Sequence, residues 1–186
     1  MAHKKRIVAV VGSLRRDSFN LQLARLVEQM IGERAEFHIL DYYDVPMFNQ
    51  DIEHPAPESV ALAREIVESA DGLWFFSPEY NASYSGALKN LLDWLSRPRP
   101  DKPALLVGKC AAMSGVSRGM SGTLLSQSHL TSLLSMLNLK IMNSPKLAIA
   151  NVATQLDEEG KLALTTSREF LEKQVEAFLR FLEVNA

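Results

Sequence analysis

Residues 6–20 read RIVAVVGSLRRDSFN, and this stretch decides the fold because it joins a strand to a helix through a short polar loop. After its first residue the run Arg6–Val11 is apolar and rich in β-branched side chains, which is typical of a strand buried on both faces. Beyond the loop, Leu23, Val27 and Ile31 follow at helical spacing and predict an amphipathic helix. A loop at a helix N-terminus presents free backbone N–H groups and the positive end of the helix dipole. The stretch therefore predicts a phosphate-binding site.

Other known phosphate loops require residues that this loop lacks. A Walker A loop needs Gly-Lys-Ser/Thr, which occurs nowhere in the chain, and a dinucleotide fingerprint needs three glycines where only Gly12 is present. A cysteine-dependent phosphatase needs its nucleophile in the loop, and the one cysteine of the chain is Cys110. A plain connection in which Ser18 caps the helix without any ligand explains the loop equally well. A second motif has to decide between the two interpretations.

Length, charge and cysteine content limit the classes of protein. The 186 residues predict one domain spanning residues 1–186, and the net charge of -2, with no basic patch beyond residues 4–6, argues against a nucleic-acid partner. The apolar run near the N-terminus meets Arg15 and Arg16 too early for a signal peptide or a membrane span. A single cysteine suits the reducing cytoplasm, and the histidines show no metal-ligand spacing, so we expect a cytoplasmic protein without a metal site.

Strand and helix signals alternate along the chain. After the first strand we expect strands over residues 36–41, 73–76, 109–115 and 140–142. After the first helix we expect one that opens at residue 57, and others over residues 85–96, 122–137 and 167–182, with prolines up to Pro100 ending the third. This alternation predicts an α/β fold with a five-stranded parallel sheet covered on both faces. In such a sheet the loops after strands one, three and four meet at one ligand-binding crevice.

The loop after the third strand carries the second motif, since residues 77–94 read SPEYNASYSGALKNLLDW. A proline, the aromatic Tyr80 and the amide Asn81 at a strand end suit a planar heterocycle. Backbone groups can bond the edge of such a ring while Tyr80 packs near its face. Each of these residues alone is common in turns, but the complete run favours a ligand-binding loop.

Together the two motifs resemble the NADPH-dependent FMN reductase family of flavodoxin-like proteins, in particular its chromate, quinone and azo-dye reductase branch. The resemblance rests on Gly12-Ser13-Leu14-Arg15 with Ser18 and Asn20, and on residues 77–81, 88–90 and 93–94, and it extends over nearly the whole chain. It implies a flavodoxin-like three-layer α/β/α sandwich with a five-stranded parallel sheet in the order 2-1-3-4-5. It also implies FMN as the cofactor, with NADPH or NADH as the hydride donor.

The resemblance also implies which residues contact FMN. The first loop matches the phosphate-binding positions, residues 78–81 match the loop that lines the isoalloxazine ring, and residues 114–119 match the third flavin loop. The implied contacts are Ser13, Leu14, Arg15, Ser18, Phe19, Asn20, Pro78, Glu79, Tyr80, Asn81, Ser117 and Gly119. No catalytic side chain is implied, because the flavin carries the chemistry. Tyr80 and Arg118 are the candidates for the substrate side of the ring.

The implied activity is the reduction of quinones, azo and nitro compounds, chromate or free flavin by hydride transfer from NAD(P)H through bound FMN. Two positions depart from the family pattern. Ser85 stands where a proline is frequent, which we expect to loosen the approach to the next helix, and Gly122 is followed by Thr123 rather than by a second glycine and an arginine.

Two other classes stay open at this point. A flavodoxin-type electron carrier has the same fold but no NAD(P)H turnover of its own, and such carriers tend to be strongly acidic, unlike this chain. A receiver-like signalling domain needs acidic residues after the first strand, where this chain has Gly12 and Ser13.

The segment 122–139 carries no formal charge, although only one face of the predicted helix needs to be apolar. We expect its outer face to consist of Ser126, Gln127, Thr131, Ser132 and Ser135. A face that is neutral all along its length predicts a homo-oligomer with Trp94 near the contact, and the resemblance implies a homodimer or homotetramer. The other partners expected are small-molecule electron acceptors.

Overall fold

The computed structural model describes residues 4–99 and 102–186, which form a parallel sheet with helices on both faces. The strands are β1 (Arg6–Val11), β2 (Glu36–Ile39), β3 (Gly72–Phe76), β4 (Cys110–Val116), β5 (Lys140–Ile141) and β6 (Leu147–Ile149). The helices are α1 (Phe19–Ile31), α2 (Glu58–Glu68), α3 (Gly86–Leu95), α4 (Leu124–Met136) and α5 (Arg168–Asn185). Pro100, expected to help end the third helix, lies outside the described residues, and α3 ends before it. None of the helices in the described ranges combines the length and apolarity needed to cross a bilayer.

The strand order β2-β1-β3-β4-β5 confirms the predicted parallel sheet. The predicted fifth strand differs in detail, because two separate segments pair with β4. β5 pairs with Cys110 and Ala111 at the start of β4, whereas β6 pairs with residues 114–116 at the end of β4. Pro145 lies between the two segments and has no N–H to donate to a ladder, which accounts for the interruption. The sheet is thereby extended at the carboxyl end of β4, beside the predicted crevice.

Alternate residues of β1 enter two apolar cores on opposite faces of the sheet. Ile7 and Ala9 pack in the core formed with α1 and α5, and Val8 packs in the core formed with α2, α3 and α4. Cys110 is fully buried in the first core, as predicted, and burial raises the pKa of its thiol. Because both faces of β1 are covered, its end is held firmly where the polar loop begins.

The carboxyl end of β4 lies exceptionally close to its neighbours. A Cβ atom added at Gly115 would lie 2.3 Å from Thr123 Oγ1 and 2.4 Å from the Ser77 carbonyl oxygen. Beside it, Ser114 Oγ accepts from Trp74 Nε1 at 2.9 Å and donates to Gln174 Oε1 at 2.6 Å. These contacts hold the ends of β3 and β4 and the start of α4 in one packed unit.

Helix α4 is rotated relative to the prediction for its outer face. Ser126 and Gln127 are buried rather than exposed, because Ser126 Oγ donates to the Pro78 carbonyl oxygen at 2.9 Å and Gln127 Nε2 donates to that of Leu147 at 2.7 Å. The exposed residues of the helix are Leu124, Leu125, Ser128, His129, Ser132, Ser135 and Met136. Trp94 is fully buried and its Nε1 donates to a backbone carbonyl, so its ring is not part of the surface, and its nearness to a subunit contact stays a prediction.

Candidate functional site

A cavity of about 350 Å³ lies at the carboxyl ends of β1, β3 and β4, where the loops after these strands meet. Its lining comes from all three loops and comprises Ser13, Arg15, Ser18, Phe19, Asn20, Pro78, Glu79, Tyr80, Val116, Ser117, Arg118, Gly119, Ser121 and Gly122. Two of the predicted contacts are not in the lining. Leu14 borders a separate cavity next to the end of β2, and Asn81 is exposed at the tip of a turn.

The loop after β1 contains hydrogen-bond donors without acceptors. The Gly12 N–H donates to the Phe76 carbonyl oxygen, but the N–H groups of residues 13–17 meet no acceptor within the described ranges. Ser18 caps α1, and its Oγ accepts from the Asn20 N–H at 3.2 Å, which leaves the hydroxyl hydrogen free to donate. The Arg15 guanidinium lies 5.6 Å from the centre of the Phe19 ring and pairs with no carboxylate in the part of the chain that is described. This donor set suits a phosphate.

The Asn20 side chain already has backbone partners. Its Nδ2 donates to the Val116 carbonyl oxygen and its Oδ1 accepts from the Val116 N–H, both at 3.1 Å. These bonds join the start of α1 to the end of β4. Asn20 therefore positions the first loop against the third, a task that its place beside the N-cap does not reveal.

The loop after β3 folds into a two-residue hairpin turn. Tyr80 and Ser83 exchange two backbone hydrogen bonds of 2.9 and 3.0 Å. Asn81 and Ala82 have φ angles of 49° and 61°, and two successive positive φ angles are characteristic of a type I′ turn. The turn leaves 53% of Tyr80 exposed on the rim of the cavity, so its ring is open to a ligand.

The Glu79 carboxylate binds the start of α4. Its Oε2 accepts from the N–H groups of Leu125 and Ser126, both at 3.0 Å. Thr123, the N-cap residue of α4, makes no side-chain capping bond, so Glu79 supplies the cap from another loop. A carboxylate at this place also interacts favourably with the helix dipole. The sequence assigned Glu79 to the ring loop but gave no sign of this contact, which joins residues 46 positions apart.

Ser85 tightens the approach to α3, contrary to the expectation from the family pattern. Its Oγ caps α3 by accepting from the Leu88 N–H at 3.2 Å, and it donates to the Gly12 carbonyl oxygen. The loop after β1 is therefore bonded directly to the helix that follows the ring loop. A proline at this position has no side-chain donor for that bond.

The loop after β4 closes on itself. Ser117 Oγ donates to the Gly122 carbonyl oxygen and accepts from the Gly119 N–H at 3.2 Å. The Ser117 N–H donates to the Ile149 carbonyl oxygen at 3.0 Å, which joins the loop to β6. Ser117 thus shapes the loop through its side chain, while Gly119 contributes backbone to the cavity wall.

The second half of the long motif stabilises a neighbouring loop and does not line the cavity. Asn90 Nδ2 and Trp94 Nε1 both donate to the Pro46 carbonyl oxygen, at 2.9 and 2.8 Å. Asn90 Oδ1 accepts from the Phe48 N–H at 2.7 Å, and the Phe48 ring packs edge-on against Trp94. These residues hold the connection between β2 and α2, so their role is structural.

Known proteins similar to this chain include FMN and quinone reductases. The profile of the family described as NADPH-dependent FMN reductase matches residues 5–154. The 2-hydroxy-1,4-benzoquinone reductase of Burkholderia sp. is 37% identical over 167 residues, which cover 90% of each chain. The quinone reductase of Escherichia coli strain K12 is 33% identical over 187 aligned positions, which cover 98% of each chain. The solved structure of FerB, a flavoenzyme NAD(P)H:(acceptor) oxidoreductase from Paracoccus denitrificans, has a TM-score of 0.88 at 34% identity and covers 97% of this chain and 98% of its own.

We predict that Glu79→Ala lowers the free energy of unfolding by about 1–2 kcal/mol, because it removes the cap of α4. Urea denaturation followed by circular dichroism measures the change. The matched control is Glu158→Ala, which removes an exposed carboxylate that has no hydrogen-bond partner in the described residues. Equal denaturation midpoints for the two variants would show that the Glu79 contact does not stabilise the helix.

Proposed function

The chain belongs to the NADPH-dependent FMN reductase family, and we propose that it reduces quinones and related small electron acceptors with hydride from NAD(P)H through bound FMN. The observation that carries the proposal is the cavity at the strand ends. It offers free phosphate donors from the loop after β1 and an exposed aromatic side chain from the loop after β3. Its walls come from three loops that hydrogen bonds hold together, so the site exists before any ligand binds.

We assign the phosphate of FMN to the loop after β1. Ser13 and Ser18 supply hydroxyl groups, residues 13–17 supply backbone N–H groups, and Arg15 supplies the positive charge. Charge-assisted hydrogen bonds of this kind are the strong ones in protein sites. Because these donors belong to a loop that is held at the start of α1 and have no acceptors in the described residues, little ordering has to accompany binding.

We assign the flavin ring to the loops after β3 and β4. Pro78 and Gly119 bring backbone to the cavity wall, and Tyr80 offers its ring at the rim. The side chains of Glu79 and Ser117 are engaged by α4 and by their own loop, so these residues line the ring through the main chain. When bound, FMN supplies the hydride chemistry, and the residues around it bind, orient and screen it from water.

The breadth of acceptors follows from the open rim. No acid or base is needed from the protein at the exposed side of the ring, where Tyr80 and Arg118 shape the approach. We propose quinones as the principal acceptors, with azo and nitro compounds, chromate and free flavin as further ones. A single buried cysteine and the use of NAD(P)H support the cytoplasm as the place of action.

Purified protein should bind FMN and then oxidise NADPH or NADH steadily in the presence of a benzoquinone. The measurement is the loss of dinucleotide absorbance at micromolar protein, with buffer containing free FMN as the control. FMN binding with reduction by neither dinucleotide would identify a flavodoxin-type carrier. A protein that binds no FMN would contradict the proposed function altogether.

We predict that Arg15→Ala weakens FMN binding about 10-fold or more, because it removes the one charged contact assigned to the phosphate. Quenching of flavin fluorescence during titration measures the affinity. Arg25→Ala is the control, since Arg25 is an exposed residue of α1 that does not line the cavity. Unchanged affinity in Arg15→Ala would refute the phosphate role of this side chain.

We infer that the protein forms a homodimer or homotetramer through the outer face of α4. This face carries no formal charge and exposes large apolar side chains, since Leu124 is 60%, Leu125 48% and Met136 73% accessible. An apolar surface of this kind on a soluble enzyme is typical of a protein contact.

Light scattering at micromolar concentration should therefore give at least twice the mass of one chain, and Leu125→Lys should shift the mass toward the monomer because it places a charge in the contact. Leu62→Lys is the control, because Leu62 is an exposed leucine of α2, 54% accessible. A wild-type protein that is monomeric would contradict the inference.

A further inference from the structure

A second cavity adjoins the one assigned to FMN. This side cavity has a volume of about 210 Å³ and is lined by Phe19, Arg118, Asn151, Val152, Ala153 and Leu156. It shares Phe19 and Arg118 with the main cavity, so the two spaces meet at these side chains. The FMN assignment uses only the main cavity and leaves the side cavity without a function.

Arg118 is the charged residue at this junction. Its guanidinium forms no ion pair and no hydrogen bond with any residue in the described ranges. The other residues of the side cavity are apolar apart from Asn151, and no carboxylate is among them. An unpaired arginine beside an apolar space suits a ligand that combines a flat ring system with a phosphate.

The walls of the side cavity are fixed to the loop after β4. The Asn151 N–H donates to the Gly119 carbonyl oxygen at 3.1 Å, and the Val152 N–H donates to that of Ser117 at 3.0 Å. A ligand in the side cavity is therefore held at a constant place relative to the ring-binding residues. This is a requirement for a subsite that helps to position a reacting group.

A dinucleotide hydride donor needs such a subsite, because only its nicotinamide reaches the flavin and its adenosine half has to lie elsewhere. The alternative is the cavity beside the end of β2, but it adjoins the main cavity only through Ser13 and Arg15, which are assigned to the FMN phosphate. It contains Arg16 as a second cation, but also Asp41, whose negative charge opposes a phosphate at that place. The side cavity contains no carboxylate, and it meets the main cavity at Phe19 and Arg118, neither of which is among the donors assigned to the FMN phosphate.

We propose that the side cavity binds the adenosine half of the hydride donor and that Arg118 binds its 2′-phosphate, so that the enzyme prefers NADPH to NADH. The inference rests on the proposed function and adds the residue that selects the dinucleotide. Arginine is well suited to this task, since its planar group can make two hydrogen bonds to one phosphate. NADH has no 2′-phosphate and leaves Arg118 in solvent.

The first test is a calorimetric titration of the FMN-loaded protein with adenosine 2′,5′-bisphosphate and with adenosine 5′-monophosphate. The wild type should bind the bisphosphate about 10-fold or more tightly than the monophosphate, and Arg118→Met should abolish this difference. Arg118→Lys should retain part of it, because the charge remains. Arg25→Met is the control and should behave as the wild type. Equal affinities of the two nucleotides for the wild type, or an unchanged difference in Arg118→Met, would overturn the inference.

The second test compares kcat/KM for NADPH and NADH with the same quinone. In Arg118→Met the ratio of the two values should fall about 10-fold or more, mainly through KM for NADPH. Ala153→Phe places a bulky ring at an exposed position of the side-cavity lining and should weaken binding of both nucleotides. Loss of FMN binding or of turnover with both dinucleotides in the wild type would overturn the proposed function itself. A normal enzyme whose dinucleotide preference does not depend on Arg118 would overturn this inference alone.

Discussion

The site depends on a close approach of β3, β4 and α4 that only a glycine permits. At Gly115 the neighbouring Thr123 hydroxyl and Ser77 carbonyl occupy the space of a Cβ atom. Because the start of α4 reaches so near to β4, Ser126 can bond Pro78 and Glu79 can cap the helix. The ring loop, the loop after β4 and α4 consequently form one hydrogen-bonded unit. A cavity built in this way keeps its shape without a ligand, as a redox site that holds its cofactor through many turnovers requires.

The parts of the fold that could be predicted are those with local signals. The buried run of β1, the cap at Ser18 and the apolar spacing of α1 each depend on residues close together in sequence. The order of the parallel strands was inferred from the family that the segment β1–α1 and the motif after β3 together resemble. The convergence of three loops was then a consequence of the sheet, because carboxyl ends of parallel strands share one edge.

The parts that could not be predicted depend on contacts between distant residues. The periodicity of α4 is weak, so its outer face could not be told from the sequence, and the buried positions of Ser126 and Gln127 follow from carbonyl groups in two other segments. Asn20 is likewise bonded to a residue 96 positions away. The division of the fifth strand was also missed, although Pro145 is a local signal that the ladder is interrupted. In each case a polar side chain bonds to a backbone group or a proline interrupts a strand ladder, and the pattern of apolar residues contains no information on such contacts.

The arginines of this chain differ in whether a carboxylate pairs with them in the described residues. Several arginines outside the cavity pair with carboxylates, among them Arg97 with Glu53 and Arg99 with Glu68. The Arg97 hydrogen bond lowers the pKa of the Glu53 carboxyl, so that this pair stays charged in the ordinary pH range. Arg15 and Arg118 face the cavities without such a partner in the described residues. An incoming phosphate therefore does not have to break an existing ion pair. Pairing these exposed arginines with carboxylates would have added little to the stability of the fold. One arginine lies in the loop after β1 and the other at the junction with the side cavity, so the proposed assignments give the FMN phosphate and the dinucleotide separate positive charges.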